Sequence, residues 1–416
     1  MARTDMSTTS MFDLPEEVLR KRHSFKWSRF GLNILPAFVA EMDFPVAEPI
    51  QRAVRRFVDG SDYGYPMRNG GKADTAVAAA FANRMKDRFG WDIDPGLVLT
   101  LADVEQGVYA SILAFSEPGD RIVVQQPSYP PLREAVHTTR RRLVPLLMRD
   151  DGFRYACDPA EITGLVDKHT KIFVLCNPQN PTGRVFARSE LMSMACFAMN
   201  NGMIIVSDEI HSEIVYPGHT HIPIASLDPA IAERTITITS PTKGFNIPAL
   251  RCAVLHFGSA ELRDRFYRRI PARLMGDPNA ICVDATVAAW GSSQVWLEGI
   301  MAHLHWARDR LISRLRDELP QIRCHVPEAT YLAWLDCRRL NFETSAFEFF
   351  HDHAHVALGA GETFDPDGDR FVRISFATSM PILDSLIDRM SAAVEQRCPR
   401  RPHNTALDAR HDRLEK

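Results

Sequence analysis

The sequence lacks a charge imbalance, a membrane-length apolar run and an apolar signal core. Its 49 lysines and arginines against 52 aspartates and glutamates give a net charge of −3, so no overall field attracts nucleic acid or an anionic membrane. No run approaches the roughly 20 apolar residues of a membrane helix. The first ten residues are mostly polar, so we expect no secretory leader. The chain is predicted to bind neither nucleic acid nor membrane.

Its eight cysteines are scattered, and none forms a CxxC pair or another metal-like spacing. Several lie in apolar runs, such as Cys176 at the end of residues 171–176. Buried free thiols in a reducing cytoplasm are therefore expected in preference to disulfides. A chain of 416 residues with 45% apolar and 24% charged content is long enough for two domains and a large core.

Apolar strand-like segments alternate with helical ones, near residues 107–116 and 187–200, through the middle of the chain. This alternation predicts a mostly parallel α/β sheet, and near-continuous β-branched runs are typical of strands covered on both faces. Ligands gather at the carboxyl ends of such strands, and candidate site residues fall there. The predicted strands are residues 98–101, 121–126, 171–176, 202–210, 234–240 and 252–257.

A long helical pattern over residues 284–317 leads away from these strands. It predicts a helix that leaves the sheet domain and enters a second, smaller α/β domain. The predicted elements of that domain are strands at residues 331–336 and 370–377 and helices at residues 346–354 and 381–396.

A lysine stands just past the end of a predicted strand. Lys243 follows residues 234–240, with Ser240 and Thr242 beside it and Arg251 eight positions later. Desolvation lowers the pKa of a lysine there, and the neutral amine is a good nucleophile towards an aldehyde. Because hydroxyls and an arginine bind phosphate, the set is typical of a pyridoxal 5′-phosphate site. A surface-loop lysine is the alternative.

Four further residues are candidates for the same site. Asp208 ends an apolar strand, where a carboxylate pairs with a pyridinium nitrogen or caps the next helix. Asn180 is a candidate donor to the phenolic oxygen of the cofactor, and Tyr129 either stacks on the cofactor ring or belongs to the core. Arg373, inside an apolar strand, needs an anion, which is either a substrate α-carboxylate or the partner of a structural salt bridge.

In chain order, these candidates resemble the motif order of the class I/II aminotransferase superfamily, the fold-type-I pyridoxal-phosphate enzymes. They are Tyr129, Asn180, Asp208, Lys243, Arg251 and Arg373. The specific parts are NPQNPTG at residues 177–183, SDE at 207–209 and SPTK at 240–243, and the resemblance covers roughly residues 15–396. It implies that Lys243 binds the cofactor aldehyde covalently. It also implies a mostly parallel seven-stranded sheet in the larger of two domains. The implied divisions are a large domain at 46–288, a small α/β domain from 11–45 and 289–396, and a polar tail at 397–416.

Segments 26–45, 61–66 and 208–218 resemble the bacterial cystathionine β-lyase branch, carbon–sulfur lyases related to the maltose-regulon modulator. His211 resembles the histidine that this branch often carries three residues after the pyridinium aspartate. Aspartate-aminotransferase-like enzymes carry a tyrosine at that position. The resemblance implies that Tyr65 reaches the phosphate of the neighbouring subunit's cofactor. We therefore expect a homodimer with shared active sites.

The chain departs from this branch around the phosphate. Asp103 and Glu105 stand where relatives have a Gly-containing loop, and two carboxylates beside a phosphate are unfavourable unless they point away. Val104 and Glu105 still offer backbone N–H groups at a helix start. Ala329 and Asp365 stand where relatives often have glycine, in regions expected to face the substrate.

Three functions stay open. A carbon–sulfur lyase would catalyse β-elimination on an amino acid and release pyruvate, ammonia and a thiol; His211 and residues 41–44 favour it. An aminotransferase is supported by Arg251, which is more typical of that group. A specialised elimination or replacement enzyme making an unusual amino acid falls within these two. The third function, from another class, is a regulator that uses the fold to bind a protein.

Overall fold

The computed structural model describes residues 12–68 and 70–397. The tail predicted for residues 397–416 therefore lies, apart from Arg397, outside the described residues. In chain order the helices are α1 (Glu16–Leu19), α2 (Phe25–Ser28), α3 (Glu48–Asp59), α4 (Ala73–Phe89), α5 (Val104–Phe115), α6 (Pro130–Thr138), α7 (Arg188–Asn200), α8 (Pro229–Ala232), α9 (Ala260–Arg269), α10 (Ala272–Met275), α11 (Ala280–Ser292), α12 (Gln294–Glu318), α13 (Ala346–Phe349), α14 (Gly361–Phe364) and α15 (Met380–Arg397).

The strands are short, as is usual for α/β proteins. In chain order they are β1 (Leu35–Pro36), β2 (Met67–Arg68), β3 (Gly71–Lys72), β4 (Val98–Leu101), β5 (Arg121–Gln126), β6 (Arg142–Leu147), β7 (Arg149–Asp150), β8 (Tyr155–Ala156), β9 (Thr170–Cys176), β10 (Ile204–Asp208), β11 (Thr235–Thr239), β12 (Ala253–Phe257), β13 (Leu332–Asp336), β14 (Val356–Ala357), β15 (Gly359–Ala360) and β16 (Phe371–Ser375).

A seven-stranded sheet forms the centre of the molecule, in the order β4-β12-β11-β10-β9-β5-β6. Its pairs are parallel except where β12 meets β11 and β4. Strands β10 and β11 are buried at every position, because helices cover both faces. The expected mostly parallel seven-stranded sheet is confirmed.

Strand β6 was not predicted from the sequence. Pro145 lies in its middle, and proline interrupts strand patterns because it cannot donate to the ladder. The structure places β6 at the edge of the sheet, where a missing donor is tolerated.

Helix α5 lies unusually close to the sheet. A Cβ atom at Gly107 would stand 3.1 Å from side-chain carbons of Ile238 on β11 and Leu101 on β4, so the glycine permits this approach. The helix begins at Val104, three residues before its predicted start. Because it follows β4 directly, its N-terminus lies at the carboxyl end of the sheet.

A smaller sheet, β13-β16-β15, packs with the long helices α12 and α15. Strand β1 pairs in parallel with β14, and residues near the N-terminus, such as Phe12 and Leu19, join this second core. The helix predicted over residues 284–317 is two helices, α11 and α12, separated at Ser293. Helix α11 packs instead on the core that includes α3 and α4. The division into two domains stays a prediction. No helix in the described ranges is long and apolar enough to cross a membrane.

Candidate active site

One pocket of about 240 Å³ lies at the carboxyl ends of the central strands. It gathers the residues predicted for the site, with one exception. Tyr65 is fully exposed and does not line the pocket. The predicted residues that do line it are Val104, Glu105, Tyr129, Asn180, Asp208, His211, Ser240, Thr242, Lys243, Arg251 and Arg373.

Lys243 lies in the turn that follows β11 and points into the pocket. Its Nζ donates a hydrogen bond to the Ala40 carbonyl oxygen at 2.8 Å. Burial, aided by the neighbouring Arg373 cation, lowers the pKa of Lys243 to about 8. Near neutral pH the side chain is therefore neutral far more often than an ordinary lysine, and the neutral amine is the form that nucleophilic attack and proton transfer require.

Asp208 is the last residue of β10 and is buried. Its Oδ1 accepts a hydrogen bond from the Ile210 backbone N–H at 3.1 Å. Burial raises the pKa of Asp208 to about 7. Because no basic side chain of the described residues forms a salt bridge with it, the carboxylate suits a cationic group brought by a ligand.

Arg373, on β16, is buried at the other side of the pocket. Its Nη1 donates to Asn180 Oδ1 at 2.9 Å and its Nη2 to the Phe38 carbonyl oxygen at 2.7 Å. The guanidinium lies over the Phe364 ring, 4.6 Å from its centroid. Burial lowers the pKa of Arg373 to about 10.

The guanidinium of Arg373 still has capacity for an anion. Its Nε is buried without a hydrogen-bond partner, and none of the described carboxylates forms a salt bridge with it. The structural salt bridge considered as an alternative is therefore not found in these residues.

The N-terminus of α5 and the turn after β11 face one end of the pocket. Backbone N–H groups at a helix start form an anion site, here at Val104 and Glu105. Ser240 Oγ donates to the Cys252 carbonyl oxygen at 2.7 Å, and the Thr242 N–H donates to Ser240 Oγ at 3.2 Å. This end of the pocket suits a phosphate.

The two unexpected carboxylates at this end have different partners. Asp103 caps α5, because its Oδ1 accepts from the Gln106 N–H at 2.7 Å, and it forms an ion pair with Arg251. Glu105 instead accepts a hydrogen bond from the Tyr129 hydroxyl at 2.7 Å. Burial, with Glu105 beside it, raises the pKa of Tyr129. The tyrosine is therefore a neutral donor held by Glu105.

His211 is buried and contacts Tyr331 edge to face, with ring centroids 5.9 Å apart. Burial lowers the pKa of His211 to about 3, so the ring is a neutral imidazole. Its Nδ1 is buried without a partner. An unpartnered buried polar atom at the pocket wall fits a polar group of a bound molecule.

Two residues expected near the substrate do not line this pocket. Asp365 accepts a hydrogen bond from Gln126 Nε2 at 3.1 Å. Ala329 is buried, and its N–H donates to the Gly183 carbonyl oxygen at 2.9 Å. The expectation that these two positions face the substrate therefore stays a prediction.

Phe38 and Ala40 were not predicted as site residues. Both act through backbone carbonyl groups, which accept from Arg373 and Lys243. A carbonyl belongs to every residue type, so no side-chain pattern could have indicated them.

The donor set fits pyridoxal 5′-phosphate. It offers an amine for the aldehyde, a buried acid for the ring nitrogen, and a helix start with hydroxyls for the phosphate. The unpartnered His211 Nδ1 and Arg373 Nε remain for the substrate and the other polar groups of the cofactor.

Comparisons with known proteins agree with this chemistry. The family model for aminotransferase class I and II matches residues 43–390. Cystathionine beta-lyase PatB of Bacillus subtilis is 31% identical, over 92% of this chain and 99% of its own. A putative cystathionine beta-lyase of Mycobacterium leprae is 33% identical, over 94% and 99% respectively. The structure of cystalysin from Treponema denticola, which contains pyridoxal 5′-phosphate, matches with a TM-score of 0.86 at 26% identity and covers 92% of this chain and 99% of that one.

Replacing Asp208 by asparagine should stabilise the cofactor-free protein above pH 7 and change little at pH 4. The folded-state pKa of about 7 lies above the ordinary value of 3.8. The folded protein therefore holds a proton that the unfolded chain releases, and wild-type stability falls as the pH rises between these values. We expect Asp208→Asn to raise the free energy of unfolding by about 2–4 kcal/mol at pH 8, as measured by urea unfolding.

The matched control is Asp264→Asn, whose side chain is 59% exposed. It should show no such pH dependence. An Asp208→Asn effect of equal size at pH 4 and pH 8 would contradict the buried charge at this position.

Proposed function

This chain belongs to the aminotransferase class I and II family, and we propose that it is a pyridoxal-phosphate-dependent carbon–sulfur lyase. It would catalyse β-elimination on an amino acid and release pyruvate, ammonia and a thiol. The observation that carries the proposal is that Lys243, Asp208 and Arg373 line one pocket. No ion pair joins any two of them. The relatives named cystathionine beta-lyase support elimination over other reactions of the family.

We assign the cofactor contacts from the pocket. Lys243 Nζ would bind the aldehyde covalently, Asp208 would face the ring nitrogen, and Tyr129 would stack on the ring. The Asn180 Oδ1 already accepts from Arg373, which leaves the Asn180 amide N–H groups to donate to the phenolic oxygen. His211, whose Nδ1 is buried without a hydrogen-bond partner, would also contact the cofactor. At the phosphate end we place Ser240, Thr242, Arg251 and the backbone N–H groups of Val104 and Glu105.

When bound, pyridoxal 5′-phosphate supplies an aldehyde and an electron-accepting ring. Lys243, whose pKa is lowered to about 8, would remove the proton from the substrate Cα as general base. The Asp208 carboxylate, which would face the ring nitrogen, would keep that nitrogen protonated. Arg373 would bind the α-carboxylate with its unused N–H groups and so orient the Cα proton towards Lys243.

Transamination is the second candidate. Arg251 lines the pocket beside Asp103, and an arginine there supports an aminotransferase, as the family name does. The two reactions share the removal of the Cα proton. They differ in whether a β-substituent then leaves or a 2-oxo acid accepts the amino group. A specialised elimination or replacement reaction that makes an unusual amino acid belongs to the same chemistry.

We propose that two copies of the chain form a homodimer with shared active sites. Tyr65 supports this because it is fully exposed in one copy and lies outside its own pocket, so it is available to reach a neighbouring site. We further propose a cytoplasmic location. The seven cysteines in the described part of the chain are unpaired, and four of them are buried, which suits a reducing compartment.

Purified protein loaded with pyridoxal 5′-phosphate should release pyruvate and thiol from cystathionine or cysteine S-conjugates without an added 2-oxo acid. Lys243→Ala should lower the rate about a thousandfold or more, because it removes both the attachment point and the general base. Lys171→Ala is the matched control, because Lys171 does not line the pocket and its Nζ donates a hydrogen bond to the Lys168 carbonyl oxygen. Glutamate formed from 2-oxoglutarate, with no pyruvate in its absence, would instead establish the aminotransferase.

Mixing two inactive variants tests the shared site. Tyr65→Ala and Lys243→Ala subunits, unfolded together and refolded, should recover about a quarter of wild-type activity, because each mixed dimer rebuilds one intact site. Co-refolding either variant with itself is the control. Mixtures that stay inactive, although size measurements show mixed dimers, would contradict a contribution of Tyr65 across the interface.

A further inference from the structure

The segment of residues 38–43, here called the strap, connects β1 to the region of α3 and forms one wall of the pocket. Its carbonyl groups contact both pocket cations. The Phe38 oxygen accepts from Arg373 Nη2 at 2.7 Å, and the Ala40 oxygen accepts from Lys243 Nζ at 2.8 Å. The Tyr331 hydroxyl also donates to Ala40 at 3.1 Å. The position of the strap therefore sets the position of both cations.

A buried ion pair fixes the far end of the strap. Asp43 Oδ2 accepts from Lys26 Nζ at 2.6 Å, and Asp43 Oδ1 accepts from Trp27 Nε1 at 2.7 Å. Both charged side chains are only 1% exposed. Lys26 Nζ also donates to the Glu41 carbonyl oxygen at 3.3 Å, so the pair holds the strap backbone as well as one of its side chains.

The strap is also joined to the loop that carries Lys243. Asn246 Oδ1 accepts from the Met42 N–H at 3.1 Å, and Asn246 Nδ2 donates to the carbonyl oxygens of Met42 and Phe44, each at 3.1 Å. The Asp43 N–H donates to the Ala377 carbonyl oxygen at 2.9 Å. The strap, the lysine loop and the strand of Arg373 are thus held in one arrangement.

We propose that Asp43, through Lys26 and Trp27, is a positioning residue for Lys243 and Arg373. It touches neither of them. It fixes the strap whose carbonyl groups orient the amine for attack and the guanidinium for the substrate carboxylate. The inference rests on the proposed function only for the identity of the cofactor and the kind of substrate.

Replacing the whole ion pair distinguishes a positioning role of Asp43 from a purely stabilising one. Replacing both members of a buried ion pair by apolar residues is often neutral for stability, whereas removing one member leaves an unpaired buried charge. The double variant Lys26→Met/Asp43→Leu is therefore expected to fold while losing the ion pair that anchors the far end of the strap. A stabilising role alone would leave the amine unaffected in that variant.

The test measures how fast pyridoxal 5′-phosphate becomes covalently attached to Lys243 in cofactor-free protein, by stopped-flow absorbance with borohydride quenching and peptide mapping. In the double variant we expect attachment to be about tenfold slower, with the same final stoichiometry, because the amine is no longer held in place. Trp27→Phe, which removes the indole N–H donor together with part of the buried ring, should slow attachment about twofold. In the loaded enzyme we expect the double variant to lower kcat and raise KM together.

Arg141→Met is the matched control. Arg141 is a buried cation that donates to Ser116 and Thr139, and it precedes β6 at the opposite end of the sheet. It should leave the attachment rate unchanged. Wild-type attachment rates in both the double variant and Trp27→Phe would overturn the inference. Slowed attachment in a protein that shows no elimination would retain the inference and refute the proposed function instead.

Discussion

The chemistry of this protein depends on three charged groups that lie in one pocket without forming ion pairs with one another. Lys243, Asp208 and Arg373 each hydrogen-bond to neutral groups, and each has a pKa displaced by burial towards its uncharged form. Such an arrangement is unfavourable for the stability of the chain. It is complementary to a ligand that brings an aldehyde, a basic ring nitrogen and a carboxylate to the same place.

The fold holds these groups apart and in order. Asp208 and Lys243 follow adjacent strands, β10 and β11, so the sheet sets their spacing. Gly107 lets α5 approach β11 closely, which brings a helix start to the same edge. Arg373 comes from a different sheet, and the strap connects it to Lys243. The site is therefore built between the seven-stranded sheet and the smaller sheet.

The site residues that lie at or near strand ends could be predicted from the sequence. Lys243 and Asp208 were identifiable because burying a charged side chain at or just past the end of a buried strand is unfavourable unless it has a partner or a function. Contacts made through the backbone, such as that of Ala40, leave no signature in the side chains. The partner of Glu105 could not be predicted, because Tyr129 is distant in sequence and meets it only through the fold. Strand β6 could not be predicted because Pro145 lies in it. A strand tolerates proline at the edge of a sheet, and the sequence does not show which strand is at the edge.

The chemistry proposed for this protein requires the amine of Lys243 to carry the cofactor. Loading the protein with pyridoxal 5′-phosphate, reducing it with borohydride and mapping the peptides by mass spectrometry tests this most directly. We expect a stoichiometric pyridoxyl adduct on the peptide that contains Lys243. Cofactor that binds but is recovered on another lysine, or on none, would contradict it.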